Sequence, residues 1–143
     1  MIMKVLLVDD EAPFVEALAK RLDKRGVTVS TAFSGPEALE KLQEDSRIDV
    51  VVLDVKMPGM DGIDALKAIK LAYPLVEVVM LTGHATVESA IEGMKLGALD
   101  YLMKPCEMEI LMTKLQEAKA KKSKQEDKIA EARAMNIALR RGD

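Results

Sequence analysis

Three short runs of aliphatic residues, each followed by a polar residue, constrain the fold of this chain most strongly. The runs cover residues 5–8, 50–53 and 76–81, the last interrupted by Glu77. Because they lack the alternation of half-exposed strands, they are typical of strands buried on both faces of a parallel sheet. Asp9 and Asp10 follow the first run, Asp54 the second and Thr82 the third. These polar groups therefore collect at the carboxyl ends of strands, where open α/β sheets place ligand sites.

Amphipathic helical patterns separate the strand-like runs. Apolar residues recur at helical spacing within residues 14–22, 38–42, 63–69 and 87–94. Ser34 and Glu37 carry the spacing of a helix N-cap with its capping-box partner. Two further strands are predicted over residues 27–31 and 98–103. Five strands interleaved with helices predict an α/β fold built on a doubly wound parallel sheet.

The length of the chain fits one domain and a short appendage. At 143 residues it can bury one sizeable core but is too short for two ordinary domains. Beyond residue 107 the composition favours a helix, in which apolar positions up to Ala118 can pack on the sheet before the pattern meets Lys122. We therefore assign a domain to residues 1–120 and a charged helical extension or linker, as a solvated helix or weak coiled coil, to residues 121–143.

Composition and charge exclude several classes of function. A net charge of −3 and a pI near 5.3 argue against direct nucleic-acid binding by this segment. The single cysteine, Cys106, cannot form an intrachain disulfide, and with His84 as the only histidine a structural zinc site is excluded. No apolar stretch approaches membrane-spanning length and no cleavage-site pattern appears, so no membrane association is expected and the predicted location is cytoplasmic.

Asp9, Asp10 and Asp54 are predicted to converge at one edge of the sheet. Any one of them alone would be read as a turn or helix-cap residue, but three at neighbouring strand ends favour a shared role. Uncompensated carboxylates repel and raise one another's pKa, and a bound cation resolves the repulsion. Because all the ligands are oxygens, the predicted ion is hard, with Mg²⁺ the first candidate.

Four segments carry a family resemblance. They are Val8-Asp9-Asp10-Glu11, Leu53-Asp54-Val55-Lys56-Met57-Pro58-Gly59-Met60-Asp61-Gly62, Leu81-Thr82-Gly83-His84 and Tyr101-Leu102-Met103-Lys104-Pro105. In this order and spacing they resemble the receiver domain of two-component response regulators, over residues 3 to 120. The resemblance implies a flavodoxin-like, doubly wound, five-stranded parallel sheet of order 2-1-3-4-5 with an extended C-terminal helix.

The resemblance also implies a role for each residue of the acidic site. Asp54 would be the phosphoacceptor in a phosphorelay, receiving its phosphoryl group from a sensor histidine kinase or a phosphotransfer protein. Asp10, Asp54 and the backbone carbonyl of Lys56 would bind Mg²⁺ directly, and Asp9 would bind it through water. Such a chain is a signalling domain that catalyses only its own phosphorylation and dephosphorylation.

Three further residues acquire roles by the same resemblance. Lys104 would hold Asp54 and then a phosphoryl oxygen, and the peptide bond to Pro105 would be cis. Thr82 would move to donate a hydrogen bond to the phosphoryl group, and the ring of Tyr101 would turn inward in response. The face over residues 87–95 and 98–101 would then change its contacts, with a phosphorylation-dependent homodimer as the simplest output.

Two alternatives compete with the receiver interpretation. A Mg²⁺-dependent phosphatase acting through an aspartyl phosphate would need a second acid or base, yet Lys56 stands where a haloacid-dehalogenase-like pattern requires a carboxylate. A pseudo-receiver would usually have lost one of the site residues, and none is missing. Whether the segment acts alone or belongs to a longer regulator with an effector domain stays open.

Overall fold

A computed structural model describes residues 2–140 of the chain. Strands and helices alternate without exception along these residues. The elements are β1 (Lys4–Val8), α1 (Ala12–Asp23), β2 (Thr28–Ala32), α2 (Gly35–Glu44), β3 (Val50–Leu53), α3 (Gly62–Ala72), β4 (Glu77–Thr82), α4 (Val87–Lys95), β5 (Asp100–Met103) and α5 (Met108–Arg140).

The five strands form one parallel sheet in the order β2-β1-β3-β4-β5, which confirms the predicted fold class and strand order. Some predicted strand bounds were wrong by one or two residues. β2 and β4 each lie one residue further along than predicted, and β5 begins at Asp100 rather than at Ala98. Ala98 is instead buried against the core, so its apolar character reflects packing rather than strand pairing.

Each central strand is buried on both faces, as its aliphatic composition predicts. Successive side chains of a strand point to opposite faces, so β1 sends Val5 and Leu7 to one core and Leu6 and Val8 to the other. Helices α1 and α5 cover the first core, and α2 and α3 cover the second. Two apolar layers around one sheet fix the strand register, and with it the positions of the residues at the strand ends.

Ser34 is the N-cap of α2 as predicted, since its Oγ accepts a hydrogen bond from the Glu37 backbone N–H at 3.2 Å. The Glu37 carboxylate accepts a hydrogen bond from the backbone N–H of Phe33 at 3.0 Å. In a capping box it would accept from the N–H of Ser34, one residue later.

Helix α5 runs through residue 120 without interruption. The residues that it buries are apolar up to Ala118, and the next buried residue is a lysine. Lys122, where the apolar pattern was expected to stop, is buried and bonds to Asp49 at the amino end of β3. Lys119 reaches the same carboxylate, so buried ion pairing replaces apolar contact at this position. Within residues 2–140 no helix combines the length and the apolar character needed to cross a membrane.

Candidate functional site

The carboxyl edge of the sheet brings two buried aspartates side by side. β1 and β3 pair in a register that places Val8 opposite Leu53, so the residues that follow, Asp9 and Asp54, are neighbours. Asp9 is 3% exposed and Asp54 is 2% exposed, although neither residue lies within a strand. Burying two carboxyl groups next to each other is unfavourable unless other groups compensate them. The arrangement therefore marks this edge as a site for a ligand or a reaction.

A third carboxylate joins the two aspartates, but it is not the one that the sequence suggested. Oxygens of Asp9, Glu11 and Asp54 lie within 4.8 Å of one another. Asp10 is exposed and stands outside this group. Glu11 thus occupies the position that was expected for Asp10. The chain turns at Asp10 as it enters α1, and the Glu11 N–H donates to Asp9 Oδ1 at 2.9 Å.

Lys104 brings positive charge to the acidic group from the loop between β5 and α5. Its Nζ donates to Asp9 Oδ2 at 2.6 Å and lies 3.3 Å from Glu11 Oε1. The ammonium group thus pairs with these two carboxylates rather than with Asp54, the partner expected from sequence, although the charge of Asp54 still acts on it. The peptide bond between Lys104 and Pro105 is cis, as expected.

The electrostatics of the site oppose ionisation of Asp54. Burial raises the pKa of Asp54, and the negative charge of Asp9 acts in the same direction. The Thr82 hydroxyl, the charge of Lys104 and the Val55 N–H lower that pKa, but together they do not overcome the burial. Burial acts to lower the pKa of Lys104, since it also disfavours the charged form of a lysine. The hydrogen bond and the charge of Asp9 outweigh burial, so the pKa of Lys104 is raised. Lys104 is therefore a permanent cation at neutral pH.

The loop after β3 is shaped by the close approach of α3 to the backbone of Asp54. The Gly62 N–H donates to the Val55 carbonyl at 2.6 Å. A Cβ at position 62 would lie 1.9 Å from the Asp54 carbonyl oxygen, so only glycine fits there. Asp61 caps α3 by accepting from the Asp64 N–H at 2.9 Å. This loop thereby fixes the backbone from which the Asp54 side chain projects.

Thr82 and Tyr101 occupy neighbouring strands of the same edge. Thr82 ends β4, is fully buried, and accepts a hydrogen bond from the His84 N–H at 3.0 Å. Tyr101 lies on β5 opposite Met80, half-buried between the sheet and α4. Its hydroxyl lies 2.5 Å from the Oγ of Ser89 in the first turn of α4. Of the two predicted switch residues, Tyr101 is therefore connected through Ser89 to the start of α4, whereas the Thr82 hydroxyl bonds to the loop before that helix.

The sequence model of a protein family, the response regulator receiver domain, matches residues 5–116 of the chain, which is most of its length. The chain belongs to the response regulator receiver domain family. It is thus the receiver domain of a two-component response regulator, as its four motifs predict, and receiver domains are signalling domains.

Several known proteins are similar to this receiver domain. The transcriptional regulatory protein ZraR of Escherichia coli strain K12 is 41% identical over 116 residues, which cover 81% of this chain and 26% of ZraR. A crystal structure of a receiver domain protein from Clostridium thermocellum superposes with a TM-score of 0.81 at 37% identity, covering 85% of this chain and 98% of that one. A CheY-like receiver domain protein from Methanospirillum hungatei gives a TM-score of 0.82 at 26% identity, covering 87% and 99% of the two chains. This chain therefore spans about a quarter of ZraR and nearly all of the two solved receiver domains.

The structure of the receiver domain adds residues that sequence reasoning missed. Glu11 enters the acidic group and pairs with Lys104, and the ring of Phe14 lies beneath the same ammonium group. Ser89 bonds to Tyr101. Ser89 alone could have been found from sequence, because Thr86 and Ser89 have the spacing of a helix cap, and the two do form a capping box.

Proposed function

We propose that this receiver domain accepts a phosphoryl group on Asp54 and changes its protein contacts in response. The observation that carries the proposal is the burial of the Asp54 carboxyl beside Asp9, with Lys104 and Thr82 at the same edge of the sheet. The phosphoryl donor is a cognate sensor histidine kinase or phosphotransfer protein. Membership in the receiver family supports this choice of donor.

The chemistry at Asp54 is nucleophilic substitution at phosphorus. A carboxylate oxygen of Asp54 forms a bond to phosphorus while the bond between phosphorus and the donor's leaving group breaks, and the product is an acyl phosphate. Such transfers have loose transition states, so positioning and charge neutralisation supply most of the catalysis. Lys104 contributes a fixed positive charge, and the buried Thr82 hydroxyl is close enough to affect the pKa of Asp54. The burial that raises this pKa also keeps competing water away from the carboxyl group.

A divalent cation fits the donors of this site. The clustered groups are all carboxylates, with oxygens that lie within 4.8 Å of one another, and oxygen is the ligand that Mg²⁺ prefers. When bound, Mg²⁺ neutralises negative charge on the transferring phosphoryl group. We assign its direct ligands to Asp10, Asp54 and the backbone carbonyl of Lys56.

Hydrogen bonding supports an indirect role for Asp9 in this cation site. Asp9 Oδ1 accepts from the Glu11 N–H and Oδ2 accepts from Lys104, so both oxygens are engaged. Asp10 is exposed and enters none of the ion pairs found among residues 2–140. The uncommitted carboxylate of Asp10 is therefore the better direct ligand, and Asp9 would bind through water.

Phosphorylation would act on the pair of Thr82 and Tyr101. A phosphoryl group carries about −1.5 to −2 charge at neutral pH and adds strong acceptor oxygens. It would attract the Thr82 hydroxyl, which now accepts from the His84 N–H, and the vacated space would admit the ring of Tyr101. An inward movement of this ring separates its hydroxyl from Ser89 and so reaches α4.

The face that receives this change is apolar enough to bind a second copy of the domain. Val87, Ile91 and Met94 lie at helical spacing on α4 and are 74%, 51% and 47% exposed. Exposed apolar side chains on one helix face are typical of an interaction surface. We assign to this face a homodimer that forms on phosphorylation.

The remainder of the regulator is inferred from the relatives. ZraR is named as a transcriptional regulatory protein, and this chain spans only a quarter of it. We propose that residues 1–120 are the receiver domain and that residues 121–143 are a charged linker toward an effector or a short extension of a stand-alone receiver. With a net charge of −3 over its 143 residues, this chain would not bind DNA directly.

Intact-mass spectrometry tests the proposal. With Mg²⁺ and acetyl phosphate, the parent protein should gain the mass of one phosphoryl group and Asp54→Ala should gain none. Equal phosphorylation of the two proteins would show that the acceptor lies elsewhere.

A further inference from the structure

Phe14 lies against the cation of the site, in a contact that the proposed chemistry does not use. The Lys104 ammonium lies 3.9 Å from the centroid of the Phe14 ring, in the first turn of α1. The aromatic face carries partial negative charge and attracts a cation at this distance. Only 14% of the Lys104 side chain is exposed, so water weakens the attraction less than it would at the surface.

The contact with Phe14 leaves part of the hydrogen-bonding capacity of Lys104 unused. A lysine ammonium has three N–H donors. Among residues 2–140, two of these are directed at Asp9 and Glu11, at 2.6 Å and 3.3 Å. The third donor has no hydrogen-bond partner among these residues, and the Phe14 ring face attracts the charge from another side. One donor therefore stays available on a cation that is restrained from several directions.

We propose that Phe14 is a positioning residue for phosphoryl transfer: its ring face holds the Lys104 ammonium beside the acidic group and leaves one N–H for the phosphoryl oxygen. The inference rests on the proposed phosphorylation of Asp54. In this role an apolar side chain helps to position the positive charge that phosphoryl transfer requires. Without the ring, the ammonium would be held by the carboxylates of Asp9 and Glu11 alone.

The competing explanation is that Phe14 only fills space, since it also packs on the core beneath α1 and α5. The two explanations differ in how they depend on ring electronics. Packing depends on the size and shape of the side chain, whereas a cation–π contact weakens as fluorine withdraws charge from the ring face. Fluorinated phenylalanines change the charge of the face with little change in volume.

The test replaces Phe14 with mono-, di- and trifluorophenylalanine and measures the rate of Mg²⁺-dependent phosphorylation by acetyl phosphate. The logarithm of the rate should fall steadily with each fluorine, and Phe14→Leu should be roughly 5- to 30-fold slower than the parent, as expected for losing a partly desolvated cation–π contact. In a Lys104→Met background the fluorine series should have no effect. Phe33, the only other phenylalanine, makes no such contact within residues 2–140, and trifluorophenylalanine there should leave the rate unchanged. A flat series at position 14 would overturn the proposal.

A second measurement does not depend on phosphorylation. In protein labelled with ¹³C-lysine, the Lys104 εCH₂ protons should be shifted upfield by the Phe14 ring current, and this shift should disappear in Phe14→Leu. If the parent protein takes no phosphate but the shift is present, phosphorylation of Asp54 fails while the contact stands. An unshifted Lys104 signal would show that the contact does not form in solution, and the positioning role would be rejected.

Discussion

The hydroxyl of Tyr101 lies 2.5 Å from the Oγ of Ser89, and the same Oγ donates to the Thr86 carbonyl in the cap of α4. Ser89 Oγ also lies within hydrogen-bonding distance of the Thr86 N–H and Oγ1, so either hydroxyl can be the donor between Tyr101 and Ser89. The aromatic residue on β5 is thereby attached to the first turn of α4. An inward movement of the Tyr101 ring would break this bond, which links the strand next to β4 with the first turn of α4.

Removing the Tyr101 hydroxyl should loosen the start of α4. Tyr101→Phe loses one hydrogen bond, at a cost of about 0.5–1.5 kcal/mol in the free energy of unfolding. Amide exchange over residues 87–95 should become faster, as measured by mass spectrometry. Tyr73→Phe is the matched control, because Tyr73 is the only other tyrosine and packs at the far end of α3. If Tyr101→Phe leaves α4 exchange at the parent rate, the bond to Ser89 does not restrain the helix.

Asp49 should make a pH-dependent contribution to stability. Burial acts to raise the pKa of Asp49, but hydrogen bonds from the Lys4 N–H, Lys119 and Lys122 outweigh it, and the pKa is lowered on folding. A carboxyl group with a depressed folded-state pKa stabilises the protein above its unfolded value, about 3.9, and this contribution is lost as the pH falls further. Asp49→Asn should therefore cost about 3 kcal/mol at pH 7, the scale for breaking a buried ion pair.

Urea unfolding at a series of pH values measures this contribution. The difference between the parent and Asp49→Asn should be constant near neutrality and should shrink once the pH falls below about 4. Asp127→Asn, on the exposed part of α5, is the control and should have little effect at any pH. A difference that stays constant down to pH 2 would show that the ionised carboxylate is not what stabilises the fold.

Two neighbouring acids should differ in their effect on cation binding. Asp10→Asn is expected to weaken Mg²⁺ binding by on the order of tenfold or more, since it removes a charged ligand. Glu11→Gln should have a smaller effect, because Glu11 pairs with Lys104. Titration calorimetry of the two variants and the parent provides the comparison. Stronger loss in Glu11→Gln would instead assign the direct ligand to the group that already lies together, Asp9, Glu11 and Asp54.

The exposed face of α4 should associate only in the phosphorylated form. Beryllofluoride can stand in for the phosphoryl group on Asp54, and sedimentation should then show dimers of the parent protein. Ile91→Glu places a charge on this face and should remain monomeric. Leu71→Glu changes a residue of α3 that is 85% exposed and should dimerise like the parent. Dimers of Ile91→Glu at the parent affinity would exclude α4 from the interface.

Much of the fold could be predicted because its strands are buried on both faces. Short aliphatic runs, each followed by a polar residue, indicate such strands, and parallel pairing then places Asp9 beside Asp54. The strand ends were less predictable, since residues such as Ala98 are apolar for packing reasons alone.

The partners of long charged side chains could not be predicted in the same way. Lys104 reaches Asp9 and Glu11 rather than Asp54, and Lys122 reaches an aspartate 73 residues away. Such choices depend on how closely the loops and helices approach in space, which residue patterns along the chain do not encode. The aromatic contact of Phe14 belongs to the same class.

The most direct test of phosphoryl transfer to Asp54 is to locate the acyl phosphate within the chain. Protein treated with Mg²⁺ and acetyl phosphate is reduced with borohydride, which converts an aspartyl phosphate to homoserine, and its peptides are then sequenced by tandem mass spectrometry. We expect homoserine at position 54 and unchanged aspartate at positions 9 and 10. Homoserine at another aspartate, with Asp54 intact in protein that has gained a phosphoryl group, would contradict it.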